Sequence, residues 1–294
     1  MAGDGGGKRR NADGGSDGSA RSVRALHRLE PGSSFLLSEF GPASTPGIDD
    51  EDRARDEIPE TVSALAELQE RLWVEGRRSL LVVLQGMDTS GKGGTVEHVF
   101  QGLNPAGVDV TSFKQPTPEE RRHHFLWRIR RRLPAPGTIM IFDRSHYEDV
   151  LVVRVERLVP DDVWSKRYAE IRRFERQVAA RGTTILKFFL AISYDEQRER
   201  LLARLEDPLK RWKFREGDLE TRARWPEYVA AYEDAIRACS TDVAPWYVIP
   251  ADHKWYRNWA VARIVLETLR EMDPRIPIPD LDVAELERRL APPN

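Results

Sequence analysis

The chain has 294 residues, 40% of them hydrophobic and 32% charged, enough apolar material for one large α/β domain with extensions. A formal net charge of −2 excludes a general attraction to nucleic acid or anionic membrane, so any anion site has to come from local clustering. The single cysteine, Cys239, excludes a disulfide framework and a cysteine metal cluster, and reads as a small residue near a helix end.

In chain order, Met1 to Ala20 is rich in Gly, Asp and Ser without a hydrophobic pattern, and a disordered tail is expected over 1–22. The tail lacks the apolar segment of a signal peptide and no run approaches transmembrane length, so a cytoplasmic location is expected. Residues 23–57 mix short apolar pieces with Pro31, Pro42 and Pro46, and read as an extended arm. The body is expected over 58–272, with an extension over 273–294. Val62, Leu65, Leu68 and Leu72 recur at helical spacing in a helix over Ile58–Glu75, which Gly76 ends.

Leu80–Leu84 is a short apolar run of strand length, and Val108–Phe113 is a second strand. Thr117-Pro118-Glu119-Glu120 opens a helix toward Arg132 with a capping-box acid, and Pro134 closes it. Thr138–Phe142 is the third strand, Asp161–Ala180 a long amphipathic helix stopped by Gly182, and Ile185–Ile192 the fourth strand. Ser193 can cap the helix that follows, and Trp246–Ile249 is a fifth strand. Strands alternating with helices predict a mainly parallel sheet covered on both faces.

Three stretches carry chemistry. The first strand runs into Gly86-x-x-x-x-Gly91-Lys92, followed by Gly93, Gly94 and Thr95. Such a loop cradles phosphate with its backbone N–H groups, the lysine reaches for the anion, and the dipole of the next helix adds to the site. Gly93 stands where a Ser or Thr hydroxyl usually ligates Mg²⁺, so Asp88 or Thr95 has to take that role. In the second stretch Asp143 directly follows an apolar strand, where an acid helps to hold a phosphate-bound Mg²⁺, and Arg144 can face a phosphate. Glu148 and Asp149 are either acceptor-selecting residues or plain helix-start acids, and His146 lacks the neighbours that would make it a nucleophile. Lys114, at another strand end, is a substrate candidate. Arg121, Arg122, Arg128, Arg130, Arg131 and Arg132 either line an acidic polymer or form a solvated face.

The third stretch, Glu199–Asp218, places Arg200 and Arg204 on one helix face, breaks at Asp207-Pro208, and continues as Lys210-Arg211-Trp212-Lys213-Phe214-Arg215. A basic, interrupted hairpin at this point of an alternating fold reads as a lid of about 199–218 that brings cations onto a transferring phosphoryl group. Trp212 and Phe214 stack a base or, more simply, pack the lid onto the body.

Taken together, Gly86-Met-Asp-Thr-Ser-Gly-Lys-Gly-Gly94, Asp143-Arg-Ser-His-Tyr-Glu-Asp-Val-Leu-Val-Val-Arg154 and Asp207-Pro-Leu-Lys-Arg-Trp-Lys213 resemble the polyphosphate kinase family 2, from about Leu26 to Leu269. The resemblance implies a three-layer P-loop kinase fold with a helical lid. It also implies inorganic polyphosphate and a nucleotide as substrates, Mg²⁺ as cofactor, and a homodimer or homotetramer. It places Asp88, Lys92, Asp143 and Arg144 at the centre, with Asp88 and Asp143 toward the metal. Arg204, Lys210, Arg211 and Lys213 become lid cations.

Ser145 to Asp149 is similar to the subgroup that phosphorylates nucleoside mono- and diphosphates. That subgroup commonly has Asn at the place of Asp143 and Asp at the place of Gly93, so the acceptor range stays open. The rival expectations are an ATP-dependent nucleoside or nucleotide kinase of the same fold and a non-catalytic nucleotide or polyphosphate sensor. None of the three involves nucleic acid or membrane.

Overall fold

Apolar runs such as Leu80–Leu84, and Ile185–Ile192 with Lys187 as its single polar residue, have no polar face to turn to water, so the sheet they form must be covered on both sides. In the computed structural model, which describes residues 22–290, that sheet has six strands. These are β1 (Arg28–Leu29), β2 (Ser79–Gln85), β3 (Val108–Ser112), β4 (Ile139–Asp143), β5 (Thr183–Ala191) and β6 (Trp246–Pro250). Their order is β1-β6-β5-β2-β4-β3, and every pairing is parallel except that of β1 with β6. β2 and β6 are buried along their whole length, whereas β3 at the edge is largely open.

The helices are α1 (Val23–His27), α2 (Glu51–Glu75), α3 (Lys92–Phe100), α4 (Trp127–Arg130), α5 (Val152–Val155), α6 (Asp161–Ala179), α7 (Tyr194–Glu206), α8 (Gly217–Ala223), α9 (Trp225–Cys239), α10 (Lys254–Met272) and α11 (Val283–Leu290). Side chains alternate across the sheet with the strand period of two. Leu81, Val83, Phe142, Phe189 and Trp246 meet Ile171 and Phe174 of α6 and Ala231 and Ile236 of α9. Leu80, Val82, Leu84, Ile141 and Phe188 meet Leu65 and Leu72 of α2, Val99 of α3 and Val261 and Ile264 of α10. The result is a three-layer α/β fold whose strand ends open on one edge, where the phosphate loop sits.

Several boundaries differ from the sequence reading, each for a physical reason. α2 starts at Glu51, with Asp50 accepting from the Arg53 N–H, because its first turns are acid-rich and carry no apolar repeat to read. The segment before it is not wholly extended. α1 is held by Glu267, which accepts from the N–H groups of Val23 and Arg24, and the two-residue β1 pairs antiparallel with β6.

The continuous helix expected from Thr117 to Arg132 is absent. The capping box does form, with Glu120 accepting from the Thr117 N–H at 2.8 Å and Thr117 from the Glu120 N–H at 3.2 Å. It closes only the 3₁₀ turn Glu120–Arg122, after which His123 is extended. His123 then stacks on Trp127 at 4.1 Å, and Arg128 turns inward to the Lys114 carbonyl at 2.8 Å. Those tertiary contacts override helix propensity.

The expected disordered tail lies outside the described residues, except for Ser22. Among the described residues no helix is long and apolar enough to cross a membrane. Cys239 closes α9 fully buried, and burial pushes its thiol up to about 12. The native protein is expected to resist maleimide labelling and to take one label only after unfolding in denaturant, as read by intact mass.

Candidate active site

The turn between β2 and α3 is shaped by what its carbonyls touch. Lys92 folds back and donates to the carbonyls of Gly86 at 2.8 Å and Met87 at 3.2 Å. Gln197 of α7 donates to the Asp88 carbonyl at 3.1 Å, and Arg200 to those of Thr89 at 2.9 Å and Ser90 at 3.3 Å. Five successive carbonyls thus accept from side chains. The N–H groups of Met87, Asp88, Thr89 and Gly91 have no partner among the described residues. Carbonyls held on one side and free N–H groups on the other make an anion-binding concavity.

Glycine is required at two points of this loop. Gly86 has φ +153° and a Cβ there would lie 2.8 Å from the Leu190 carbonyl oxygen. Gly91 has φ +105°, and its Cβ would fall 1.6 Å from Nη1 of Arg257. Gly93 is different, since a Cβ there meets nothing within 4 Å. The missing metal-ligating hydroxyl is therefore a chemical choice and not a steric one. Thr95 does not replace it, because its buried hydroxyl donates to the Gly91 carbonyl at 3.1 Å inside the helix. Burial, and then Arg144, hold the Lys92 ammonium below the ordinary lysine range, against the pull of Asp88, Asp143 and Glu148.

From the end of β4, Arg144 crosses to the loop. Its backbone is left-handed at φ +63°, which turns the side chain so that Nη2 meets Asp88 Oδ1 at 2.9 Å. Burial lowers the Arg144 pKa, but the carboxylates of Glu148, Asp88 and Asp143 outweigh it and the net shift is upward. Asp143 accepts from Ser112 Oγ on β3 at 3.2 Å, and Glu148 from Gln85 Nε2 at 2.9 Å. Asp149 is turned to Arg167, 3.2 Å away, and Arg128, 3.9 Å away, while burial raises its carboxyl to about 6.

A cleft of about 920 Å³ runs along this edge, lined by Gly86, Asp88, Lys114, Arg144, Glu148 and Asp149 on the body and by Arg215 and Asp218 on the lid. Among the described residues no three His, Cys, Asp or Glu side chains gather as a ready-made metal cage. Asp88 and Asp143 each retain a carboxylate oxygen without a protein donor. That donor set fits a hard cation that takes its remaining ligands from phosphate and water.

The lid differs in detail from the sequence reading. Arg204 donates to the Lys213 carbonyl at 3.3 Å and lies 3.5 Å from Asp218, Lys210 pairs with Asp207 at 2.7 Å, and Arg211 donates to the Leu205 carbonyl at 2.7 Å. Lys213 lies over the Trp212 ring, whose face is 76% exposed and so does not pack the lid onto the body. None of these four cations lines the cleft; Arg215 is the lid cation that does. Arg200 is not a lid residue. It is buried beneath the loop, where it also donates to the carbonyls of Ala251 at 2.6 Å and Asp252 at 2.8 Å and pairs with Glu196 at 2.7 Å. Its i, i+4 relation to Arg204 hid the fact that the two leave the helix toward different surroundings.

Under the Asp143–Asp149 segment lies a polar network that sequence reasoning missed. Lys187, fully buried in β5, donates to Glu175 Oε2 and the Tyr147 hydroxyl at 2.8 Å each and to the Cys239 carbonyl at 2.7 Å. Glu175 Oε1 also accepts from Tyr147 at 2.8 Å and meets His146 Nε2 at 3.2 Å. His146 is therefore turned away from the cleft, with burial holding its pKa low. A lysine in the middle of an apolar strand was the available signal. Gln85, a polar end to an apolar run, was another.

Parallel strands ending at an amide-lined loop, with an acid–arginine pair beside it and a helical lid across a cleft, define the class of P-loop phosphotransferases. Within that class, the sequence model described as polyphosphate kinase 2 (PPK2) matches residues 48–277, and the chain belongs to that family. It is 52% identical over 255 residues to the AMP/ADP-polyphosphate phosphotransferase of Meiothermus ruber, a match that covers 86% of this chain and 96% of the relative. It is 39% identical to the ADP-polyphosphate phosphotransferase of Rhodopseudomonas palustris, with 83% and 89% covered. The crystal structure of polyphosphate kinase 2 from Arthrobacter aurescens TC1 superposes with a TM-score of 0.88 at 45% identity, covering 92% of this chain and 96% of that one.

Two substitutions separate packing from chemistry. Gly91→Ala is expected to reduce turnover at least about a hundredfold through the clash with Arg257, whereas Gly93→Ala stays within about threefold; steady-state rates check both. Glu175→Ala, which strands the buried Lys187 charge, is expected to cost about 3–5 kcal/mol in urea denaturation.

Proposed function

We propose that this chain moves a phosphoryl group reversibly between inorganic polyphosphate and a nucleotide, raising AMP, ADP or GDP to the higher phosphate, with Mg²⁺ as cofactor. The observation that carries the reading is the 2.9 Å contact of Arg144 with Asp88. It joins the acid–arginine end of β4 to a loop that lines the same cleft through Gly86, Met87 and Asp88. The names of the Meiothermus ruber and Rhodopseudomonas palustris relatives supply the donor class, and the greater identity to the former favours a range that includes AMP.

In this reading Lys92 exchanges its two loop carbonyls for phosphate oxygens, and the free amides of Met87, Asp88, Thr89 and Gly91, together with those of Gly93 and Gly94 at the start of α3, hold the donor chain, while Thr95 closes the first turn of that helix on the Gly91 carbonyl. Asp88 and Asp143 are the residues that would hold Mg²⁺, which would supply neutralisation of phosphate charge. Arg144, beside Asp88, balances charge on the transferring group. Lys114, Glu148 and Asp149 contact the acceptor on the body side of the cleft. Arg215 faces them from the lid, and closure brings Arg204, Lys210, Arg211 and Lys213 nearer. Arg200 acts by holding the loop. Transfer is direct, because positioning and charge neutralisation account for most phosphoryl-transfer catalysis; His146 is buried away from the cleft, and His123, which lines it, is stacked on Trp127 with Nε2 turned to Glu119 at 3.1 Å. The protein is cytoplasmic and works as a homodimer or homotetramer.

The test is product analysis with polyphosphate against AMP, ADP and GDP separately, with no nucleoside triphosphate present. Higher phosphates are expected with each acceptor, and chelation of the divalent metal should abolish them. Lys92→Ala and Asp88→Asn should each lower kcat about a thousandfold with the unfolding transition unchanged. Formation of product only when ATP replaces polyphosphate would establish the ATP-dependent alternative.

A further inference from the structure

Arg257 stands in the first turn of α10, far from the loop in sequence, and is 3% exposed. Its guanidinium lies against the start of α3, where Nη1 would be 1.6 Å from a Cβ at Gly91 and Nη2 3.2 Å from one at Gly94. Nη1 donates to the Ser90 carbonyl at 3.3 Å, and Nε and Nη2 share the amide oxygen of Asn258 at 3.1 and 2.8 Å. All its partners are neutral. Among the described residues no carboxylate pairs with it, and the charge that acts on it is that of another cation, Arg200.

Arg200 has one carboxylate, Glu196, at 2.7 Å. Two buried guanidiniums therefore share one negative charge directly behind the loop. Burial and Arg200 push Arg257 down to about 9, which leaves it protonated at neutral pH. Lys254, at the start of the same helix, is lowered by burial and by Arg200, with Glu196 opposing and Arg257 and Lys210 adding to the effect. A buried charge without a counter-charge is costly, and a structural brace to one carbonyl and one amide oxygen does not require it.

We propose that Arg257 is a positioning charge of the phosphate loop, held without a carboxylate partner behind Gly91 and Gly94 so that the polyphosphate chain supplies the missing negative charge. The proposal rests on the reading that this loop binds polyphosphate. It also accounts for glycine at 91, where the guanidinium needs the space, for the tight fit at Gly94, and for the freedom of position 93, which it does not approach. The arrangement binds polyanion by field and not by contact. Arg257 stays behind the loop while Lys92 and the amides touch phosphate.

The test compares Arg257→Gln, which removes the charge and keeps donors for Ser90, with Arg257→Lys, which keeps the charge. For Arg257→Gln the KM for polyphosphate is expected to rise about tenfold, with the KM for ADP unchanged and kcat within about threefold. Its unliganded melting temperature should equal or exceed that of the parent, because an uncompensated charge has been removed. Arg257→Lys should recover most of the polyphosphate affinity. A structural brace gives the opposite pattern: a lowered melting temperature, or no folding, in Arg257→Gln, with polyphosphate KM within twofold of the parent wherever it can be measured. That pattern would overturn the proposal. Thermal shift with inorganic tripolyphosphate separates the two readings. No shift in the parent would remove the polyphosphate reading itself, whereas an equal shift in parent and Arg257→Gln would remove only the role of Arg257.

Discussion

The constraint on which this structure depends is that a loop must present its N–H groups to an anion while its carbonyls are satisfied elsewhere. An unpaired buried carbonyl is costly, and a phosphate cannot approach a surface of carbonyl oxygens. Between Gly86 and Ser90 each carbonyl is taken by Lys92, Gln197, Arg200 or Arg257. Three of these donors come from α7 and α10, so two helices on different stretches of the chain set the curvature of a six-residue turn. The sheet puts them there: β5 and β6 lie side by side next to β2, and each leads into the helix that reaches back to the loop.

The same logic recurs at the next strand end in a drier setting. Lys187 and Glu175 are a buried ion pair, which by itself seldom stabilises a fold more than apolar packing would. Here every hydrogen of the ammonium has an acceptor, and Glu175 receives Tyr147 and His146 as well. The network fixes residues 146 and 147 from below, and so orients Arg144 and Glu148 above. Its contribution is to register, since the left-handed backbone at Arg144 is a strained conformation that needs its flanks held.

The lid stands in contrast. Lys210 and Arg211 face their own acid and carbonyl at the surface, in contacts that are individually weak because they are open to solvent, and only Arg204 meets a largely buried partner, Asp218. Weak pairs are easily exchanged for phosphate oxygens. Strong, buried interactions shape the loop and the β4 end, and weak, exposed ones hold the lid, which is the division expected where one part must stay fixed and another must move.

Of all this, the sequence by itself determined the α/β class, and it singled out the β2–α3 turn and the end of β4, which the structure joins through Arg144 and Asp88. These follow from local rules: apolar runs of strand length, glycine spacing, and an acid directly after a strand. It did not reveal β1, because two residues carry no pattern, or the break at His123, because stacking on Trp127 outweighs a good capping box. Nor could it separate Arg200 from Arg204, or single out Arg257, since a helix face says where a side chain leaves the backbone and not what it meets. The loop looked self-sufficient in sequence, with Gly93 as its one oddity. The tertiary structure alone decided that its shape is held by α7 and α10, that Thr95 is engaged inside its own helix, and that buried cations from distant segments charge it from behind. Those choices depend on which residues the sheet order brings together, and contacts between distant residues leave no local trace in the chain.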